Sequence, residues 1–569
     1  MFKRKSTAGS GFVNTEHGME IHPDEIFLDA SNLPSFDESQ FEGRMERPIR
    51  KRPVYLLGAL FCLVALLFLG RLWTVQVVAG GEYAQKSEQN RLGHSVIIAE
   101  RGIIYDKNGV ELAWNIPLEG EQFSERTCAT TTGTAHLLGY VSLPRKDSSG
   151  IYYQDSSRGL AGVEKYFDDT LRGVNGLKIV ETDALGSLQS ESTLTPPTEG
   201  RAVTLSIDVR VEEALSRSIG DLAEQAGFVG GAGIVMDVRT GEVIALTSYP
   251  EFDPGILSLG KEGSRIQEYM ADSRKPFLDR VLSGLYTPGS IIKPFMALAA
   301  LNEGVIDPKK QILSTGSLTI PNPYFPDKQS VFRDWKAHGL VDMREALAVS
   351  SDVYFYEIGG GYKDQKGLGI EKIEKYARLF GMGEEAGLAI APEEKGTIPN
   401  PAWKEHIFND VWRLGDTYNT VIGQYGFQVT PMQMARAISA VANGGELFTP
   451  AILASTTGAA DHIDIPQEYF KIVQEGMRQS VLHGTASGLS LPYVEIAAKT
   501  GTAEVGVKKE FINSWAVGFF PYENPRYSFV ILMDRGRAGT LTGGVYAAWQ
   551  FFNRLKEVAP EYLDRYRPK

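Results

Sequence analysis

Three short motifs carry the side chains that serine acyl transfer requires. They follow one another as Ser290-Ile-Ile-Lys293, Ser350-Ser-Asp352 and Lys499-Thr-Gly-Thr502. A hydroxyl can attack a carbonyl when a nearby amine takes its proton, so Ser290 is the candidate nucleophile and Lys293 its candidate base. The other two motifs add a relay hydroxyl, a carboxylate and a strand edge that could hold an acyl donor.

The S-x-x-K pattern occurs a second time, at Ser258-Leu-Gly-Lys261, and the sequence context separates the two matches. Glycines surround Ser258, which predicts a loop. Ser290 instead precedes the apolar run Pro294–Leu301, which predicts a buried helix with Ser290 and Lys293 three residues apart on one face. A helix-opening serine is by itself more often an N-cap, but the two further motifs favour Ser290 as the nucleophile.

The third motif is predicted to lie at the edge of an antiparallel sheet. A strand-like run, Val494–Ala498, leads into Lys499, and two further strands are predicted at Asn513–Phe520 and Tyr527–Met533. Gly501 has no side chain, so we expect it to let a ligand backbone approach the strand closely. An earlier hairpin, at 232–247, extends the antiparallel pattern.

Length and composition limit the possible functions. A chain of 569 residues can hold more than one domain. Its net charge of −12 argues against nucleic-acid binding, and it has no P-loop, H-E-x-x-H or paired C-x-x-C motif. Cys62 lies inside an apolar segment and Cys128 lies alone beyond it, so no disulfide between soluble parts is expected.

An uncharged run from Pro53 to Gly70, resumed as far as Val75, is long enough to cross a membrane. We interpret 53–75 as an uncleaved signal anchor. A cleavable signal peptide would lie closer to Met1 and end in small residues, and a buried core helix is the weaker alternative. The acidic, aperiodic tail 1–52 is expected to be disordered. Basic residues just before the span predict that this tail is cytoplasmic: Arg44, Arg47, Arg50, Lys51 and Arg52.

Taken together, the three motifs resemble the set shared by penicillin-binding proteins and class A β-lactamases. From about Val96 to the C-terminus the chain resembles a class B penicillin-binding protein of the elongation type, similar to penicillin-binding protein 2. Arg101–Gly109 resembles the R-G-x-I-x-D-R-N-G signature of that family, and Gly159–Glu164 with Leu171–Gly173 resembles a second family block. The acid at Asp352, where the family commonly has Asn, favours the elongation branch.

The resemblance implies an α+β chain in four parts. These are a cytoplasmic tail (1–52), a transmembrane signal anchor (53–75), a β-rich pedestal of the dimerisation type (76–200) and a penicillin-binding/β-lactamase-like transpeptidase domain (201–569) with an antiparallel sheet flanked by helices. The family carries a long helical head between positions that here are Asn115 and His136. That segment is too short for a folded head, so we expect a shortened pedestal. The stretch Ser187–Gly200 reads as a linker or an edge region.

The resemblance also implies a reaction. Ser290 would attack the penultimate D-Ala carbonyl of a peptidoglycan stem peptide, and backbone N–H groups of Ser290 and Thr502 would form the oxyanion hole. Lys293 must be neutral to accept a proton, which burial beside Lys499 would favour and Asp352 would oppose; the sequence leaves this open. The residues implied in catalysis are Ser290, Lys293, Ser350, Asp352 and Lys499, and those implied in substrate binding are Thr500, Gly501 and Thr502.

Ligands, partners and location follow from the same resemblance. It implies stem peptides and β-lactams as ligands, no cofactor, and a RodA-type (SEDS) glycosyltransferase as a membrane partner. It places the catalytic domain outside the cytoplasmic (inner) membrane. Some relatives bind zinc through Asp, His and a Cys inside the second motif. Here that Cys is Ser351, so we interpret Asp334–His338 as a solvated turn and expect no metal.

Two other functions stay open. A β-lactam-hydrolysing or β-lactam-sensing relative would share the three motifs, but hydrolysis needs a deacylating Glu, and no E-x-x-L-N element occurs between Ser350 and Lys499. An inactive scaffold of the wall-synthesis complex would need no intact motif. The intact set of side chains argues against it.

Overall fold

The computed structural model describes residues 51–83, 92–148, 152–182, 188–322, 324–325, 327–388 and 390–563. The chain divides into two compact units, Met1–Arg91 and Leu92–Lys569. The disorder expected for the acidic tail falls on residues before 51 and so lies outside the described part.

The first unit contains one long helix, α1 (Lys51–Trp73), which continues as a π-helical turn at Thr74–Val78. Within Val54–Val78 a window of 18 residues has a mean hydropathy of 2.2, and none of that window is buried among the described residues. By length and composition it can cross a bilayer. The predicted span, 53–75, is helical over its whole length, because α1 and the π-helical turn together cover it.

The second unit begins with short helices and small, mostly antiparallel sheets, in which only the β11–β2 pair among the described strands is parallel. A three-stranded sheet has the order β1–β9–β10, and a four-stranded sheet has the order β11–β2–β3–β4. This confirms the β-rich pedestal. Its elements are β1 (Leu92–Ile97), β2 (Ile104–Tyr105), β3 (Glu111–Pro117), β4 (Ser124–Cys128), α2 (Ala135–Leu138), β5 (Val141–Ser142), β6 (Arg145–Lys146), β7 (Tyr152–Gln154), β8 (Arg158–Gly159), α3 (Gly162–Tyr166), α4 (Asp168–Leu171), β9 (Gly176–Thr182), β10 (Leu188–Thr195) and β11 (Val203–Thr204).

The pedestal has no helical head where the family usually carries one. Between Asn115 and His136 the chain forms the β3–β4 hairpin and a turn, so the shortened pedestal is confirmed. Most of the stretch 187–200 is the edge strand β10, which pairs with β9. The edge-region alternative is therefore confirmed rather than the linker alternative, and the Ser and Thr residues of β10 lie on a sheet edge.

A buried ion cluster joins the two family blocks of the pedestal. The Glu164 carboxylate accepts from Arg101 Nε and from Arg126 Nε, each at 2.6 Å, and all three side chains are almost fully buried. Arg101 also donates to Asp168 at 2.7 Å. Removing one member of such a cluster leaves an uncompensated charge in the interior.

We expect Glu164→Gln to destabilise the pedestal by about 3–5 kcal/mol, because Arg126 loses its buried counterion. The matched control is Glu191→Gln, which breaks the more exposed pair with Lys178 and should have little effect. The midpoint of thermal unfolding of the detergent-purified chain, detected by proteolysis of the pedestal, measures the stability of both variants. Equal midpoints for the two variants would contradict the structural role of the cluster.

The remainder of the second unit is built on a five-stranded antiparallel sheet with the order β13–β12–β22–β21–β20. Its elements are α5 (Val209–Ala226), β12 (Gly230–Asp237), β13 (Val243–Tyr249), α6 (Pro254–Leu259), α7 (Gly263–Ala271), α8 (Lys293–Asn302), β14 (Ile312–Ser314), β15 (Ser317–Pro321), β16 (Gln329–Arg333), β17 (Gly339–Val341), α9 (Met343–Ala348), α10 (Asp352–Gly360), α11 (Ile370–Leu379), α12 (Pro401–Phe408), α13 (Leu414–Val421), α14 (Pro431–Asn443), β18 (Glu446–Phe448), β19 (Ala460–His462), α15 (Gln467–Leu482), β20 (Ala497–Val505), β21 (Phe511–Phe520), β22 (Tyr527–Arg537) and α16 (Gly544–Val558). This confirms the antiparallel sheet flanked by helices.

Helices cover both faces of the central strand β22, which explains the apolar run Phe529–Met533 within it. Phe529 and Ile531 belong to one core cluster, together with side chains of α5 and α16. Val530 and Leu532 belong to the other cluster, together with side chains of α8 and α14. Successive side chains of a strand point to opposite faces, so both faces of β22 are apolar over Phe529–Met533.

Ser258 lies in helix α6, so the loop predicted around it is wrong. Asp253 caps this helix by accepting from the N–H groups of Gly255 and Ile256, and Pro254 follows at the first helical position, a pair that favours a helix start. Ser258 Oγ is buried and accepts from Val141 N at 3.2 Å. It therefore connects the catalytic part to the pedestal.

Candidate active site

Ser290 lies on a 3₁₀ turn, Gly289–Ile292, which leads directly into α8 at Lys293. Residues three apart eclipse in a 3₁₀ helix, so Ser290 and Lys293 lie on the same side of the turn. Lys293 is fully buried and Ser290 is half-buried. Within the described residues the Ser290 hydroxyl makes no hydrogen bond, which leaves it free toward a substrate.

The second motif brings its hydroxyl to both lysines. Ser350 Oγ accepts from Lys499 Nζ at 2.8 Å and from Lys293 Nζ at 3.3 Å. Lys293 Nζ also donates to the Ser350 carbonyl at 2.8 Å. The backbone of Ser350 has φ 58°, a left-handed conformation that costs a residue with a Cβ about 1–2 kcal/mol. In this conformation the carbonyl and the hydroxyl of Ser350 both accept from Lys293 Nζ.

The two lysines have different electrostatic surroundings. Lys293 Nζ lies 2.6 Å from Asp352 Oδ1, which is its counterion. Lys499 is fully buried, and its Nζ donates to Ser350 Oγ and to the Thr500 carbonyl at 2.9 Å. Burial, reinforced by the charge of Lys293 and only partly opposed by Asp352, holds the pKa of Lys499 well below its usual 10.5. Of the two lysines, Lys499 is therefore the one whose surroundings disfavour the charged form.

The third motif lies within strand β20, at the open edge of the sheet. The predicted strand stopped just before Lys499, whereas the observed strand runs through the motif. Lys499, Gly501 and Ala503 are buried, while Thr502 is exposed. Thr500 Oγ1 donates to Thr485 Oγ1 at 2.7 Å. The substrate-binding roles of Thr500, Gly501 and Thr502 stay predictions.

Gly501 faces the turn that carries Ser290. A Cβ at this position would lie 2.8 Å from the Pro288 carbonyl oxygen and 2.8 Å from Ile291 Cγ2. The expectation that its missing side chain admits a ligand backbone is therefore wrong. Gly501 instead lets β20 pack directly against the turn that carries Ser290.

The turn 334–338 is exposed at its three middle residues, as predicted, but the side chains of Asp334 and His338 are almost fully buried, 0% and 1% exposed, so for these two the prediction of a solvated position is wrong. The Asp334 carboxylate accepts from Ser351 Oγ at 2.9 Å, from Ser314 Oγ at 3.2 Å and from Val353 N at 3.0 Å. The sequence contained no local sign of these contacts, because the partners lie about one strand and one helix apart in the chain.

The same pair raises the question of zinc. Neither ring nitrogen of His338 has a hydrogen-bond partner within the described residues, and Nε2 lies 3.4 Å from Asp334 Oδ1. The remaining donors are the neutral hydroxyls of Ser314 and Ser351, which are poor zinc ligands. No group of three or more His, Cys, Asp or Glu side chains in the described ranges could hold a metal ion. These residues do not fit a zinc site.

The five-stranded sheet, the helices on both its faces and the three converging motifs define a serine-type penicillin-binding transpeptidase. The chain belongs to the penicillin-binding protein transpeptidase family, because the family model "Penicillin binding protein transpeptidase domain" matches residues 231–556. A second model, "Penicillin-binding Protein dimerisation domain", matches residues 118–205.

Named relatives agree with this assignment. Peptidoglycan D,D-transpeptidase MrdA of Acinetobacter baumannii is 26% identical over 91% of this chain and 90% of its own length. Penicillin-binding protein PBP2 of Helicobacter pylori, solved in complex with MreC, is 25% identical with a TM-score of 0.69 and covers 82% of this chain and 99% of that one. A chain of a peptidoglycan synthase complex matches with the same identity and TM-score over 91% of this chain and 100% of its own.

The lowered pKa of Lys499 predicts how stability depends on pH. In the unfolded chain a lysine titrates near about 10.4, so between the folded pKa and that value only the unfolded state binds the proton. The folded state is therefore penalised as pH falls, and stability rises with pH across this window. Lys499→Met removes the penalty, so its advantage in melting temperature over the unmodified chain should shrink as pH rises from 7 to 10.

Lys508→Met is the matched control, because Lys508 lies exposed just beyond the same strand. We expect its melting temperature to follow that of the unmodified chain across the pH range. A constant difference between Lys499→Met and the unmodified chain would show that Lys499 is charged in the folded protein.

Proposed function

We propose that this chain is a peptidoglycan D,D-transpeptidase of cell-wall elongation, with Ser290 as its nucleophile. The observation that carries the proposal is the convergence of the three motifs. Ser350 Oγ lies within hydrogen-bond distance of both Lys293 and Lys499, beside the turn that carries Ser290. The names of the relatives, peptidoglycan D,D-transpeptidases, support the same reaction.

In the proposed acylation step, Ser290 Oγ attacks the penultimate D-Ala carbonyl of a stem peptide. The hydroxyl proton passes to Lys293, whose Nζ must be unprotonated to accept it. Ser350 Oγ lies 3.3 Å from Lys293 Nζ and 2.8 Å from Lys499 Nζ, which gives a proton a route between the two amines. The C–N bond to the terminal D-Ala breaks, the departing amine takes a proton through Ser350, and an ester on Ser290 remains.

In the second step an amine of a neighbouring stem peptide attacks the ester. A new amide forms, and the proton that the amine loses returns to Ser290 Oγ. The N–H groups of Ser290 and Thr502 are the proposed oxyanion donors in both steps. One support for their proximity is that the Thr502 carbonyl lies 3.1 Å from a Cβ built on Gly289. Neither step needs a cofactor.

The domain boundaries belong to the proposal. We assign 1–52 to a cytoplasmic tail, 53–75 to the anchor, 76–200 to the pedestal and 201–569 to the transpeptidase domain. The family-model matches at 118–205 and 231–556 support the last two. The apolar span Val54–Val78 and the basic residues before it support a single-pass protein of the inner membrane whose catalytic domain lies on the outer side.

Labelled penicillin separates this function from its two alternatives. We expect a long-lived covalent adduct on the detergent-purified chain and none on Ser290→Ala, whose fold should persist because a helix-opening serine contributes only about 1 kcal/mol. Ser258→Ala is the control and should keep full labelling, since its hydroxyl only accepts from Val141 N.

Each other outcome of that experiment has a definite meaning. Rapid release of the adduct would favour a β-lactam-hydrolysing relative. Absence of any adduct on the unmodified chain would favour an inactive scaffold. Labelling that persists in Ser290→Ala and disappears in Ser258→Ala would move the nucleophile to the first S-x-x-K motif.

We further propose a RodA-type (SEDS) glycosyltransferase as the membrane partner, contacted through α1 and the pedestal. The similarity to a chain of a peptidoglycan synthase complex supports an assembly of this kind. Gly58 and Ala65 lie one heptad apart on α1, and small residues let helices approach closely. A Cβ built on Gly58 meets no atom of the described residues within 4 Å.

Replacing Val54–Val78 with an unrelated transmembrane helix should abolish co-purification with the glycosyltransferase, because the small-residue face is lost. The replaced chain should still take labelled penicillin, which controls for folding. If both chains retain the partner equally, the helix acts only as an anchor and the pedestal carries the contact.

A further inference from the structure

The Asp334 carboxylate is the most heavily hydrogen-bonded acid next to the second motif. Its Oδ2 accepts from Ser351 Oγ, Ser314 Oγ and Val353 N, and its Oδ1 accepts from Trp335 N at 2.8 Å. Burial raises the pKa of Asp334. The N–H groups of Val353 and Asp352, the Ser351 hydroxyl and the charge of Lys293 together lower this pKa by more than burial raises it, so the net shift is downward. Asp334 is therefore an ionised, fully engaged acceptor.

The contacts of Asp334 fall on the first turn of α10, where backbone N–H groups have no partner within the helix. Ser351 is the N-cap of this helix and accepts from Tyr354 N, while Asp334 accepts from Val353 N. Asp334 thus completes the cap from a different element, the end of β16. The first residue of α10 is Asp352, the counterion of Lys293.

The residue just before this cap is Ser350, whose backbone is in the left-handed conformation. A strained residue keeps its conformation only where its surroundings hold it on both sides. On one side, Trp335 Nε1 donates to the Val349 carbonyl at 3.2 Å. On the other side, Asp334 holds Ser351 and Val353. The turn after β16 therefore makes hydrogen bonds to the chain on both sides of the strained residue Ser350.

We propose that Asp334 is a positioning residue of the acyl transfer, which through Ser351 and the start of α10 holds the Ser350 hydroxyl and the Asp352 carboxylate against the two lysines. The inference rests on the proposed function. It assigns to a buried carboxylate and two serine hydroxyls the task of fixing the second motif, without a metal ion. This agrees with the poor fit of these residues to zinc.

The test uses the detergent-purified full chain and labelled penicillin as the probe, with the acylation rate constant and the saturation constant measured separately. Asp334→Asn should lower the rate constant by roughly 100-fold, the typical cost of a misplaced catalytic group. Its saturation constant should stay unchanged, because Asp334 is buried away from solvent. Ser351→Ala should give a smaller loss of the same kind, and it serves as the second variant if Asp334→Asn does not fold.

Asp327→Asn is the matched control, because Asp327 is an exposed aspartate on the β15–β16 hairpin. It should acylate at the rate of the unmodified chain. Unchanged rate constants in both Asp334→Asn and Ser351→Ala would overturn the proposal. A rise in the saturation constant with an unchanged rate constant would overturn it as well, since it would make Asp334 a binding residue.

Two further readouts do not depend on activity. Hydrogen exchange at the peptide that covers 349–356 should accelerate in Asp334→Asn and not in Asp327→Asn, even if the unmodified chain takes no penicillin. Elemental analysis of the purified chain should find no stoichiometric zinc. One zinc per chain that is lost in Asp334→Asn would overturn the proposal and make Asp334 a metal ligand. Failure of the proposed function appears separately, as absence of any adduct on the unmodified chain.

Discussion

The arrangement of the site depends on one contact, the convergence of two fully buried lysines on the Ser350 hydroxyl. Burying a cation is costly unless it is paired or loses its charge. One carboxylate, Asp352, reaches Lys293, and burial holds the pKa of Lys499 well below its usual value, which disfavours a second charge. The Ser350 hydroxyl lies between the two amines.

The same contact connects one edge strand with the starts of two helices. Lys499 lies on the edge strand β20, Lys293 opens α8, and Ser350 immediately precedes the cap of α10. Two close backbone approaches keep these elements in place. Gly501 packs on the turn that carries Ser290, and Gly289 N donates to the Gly423 carbonyl at 3.0 Å. A side chain at Gly501 would push the nucleophile turn away from the strand.

Much of this could be predicted from the sequence, because the features involved are local. The three motifs, the apolar span and the strands around 513–533 each carry their own pattern of residue types. The misjudged features depend on contacts across the chain. The reason why position 501 needs a glycine is not visible in the sequence, because its neighbour Pro288 lies far away along the chain. The burial of the Asp334 side chain is not visible in the sequence, because its hydrogen-bond partner Ser351 belongs to another element.

Ser258 shows a different limit. Its glycine-rich surroundings favoured a loop, yet the Asp253-Pro254 start signal and the left-handed cap at Gly260 enclose a short helix. The helix-start signal at Asp253-Pro254, rather than the glycine content, determines the local structure. The rejection of Ser258 as nucleophile still has a structural basis, because its hydroxyl is buried and holds the pedestal.

The central claim is that Ser290 transfers an acyl group to an amine rather than to water. The most direct measurement supplies the purified chain with a donor peptide ending in D-Ala–D-Ala and an amine acceptor, and follows free D-Ala and the new amide by mass spectrometry. The account predicts that the two products appear together and that both are absent with Ser290→Ala. Release of D-Ala without a new amide, or equal amounts of both products from Ser290→Ala, would contradict it.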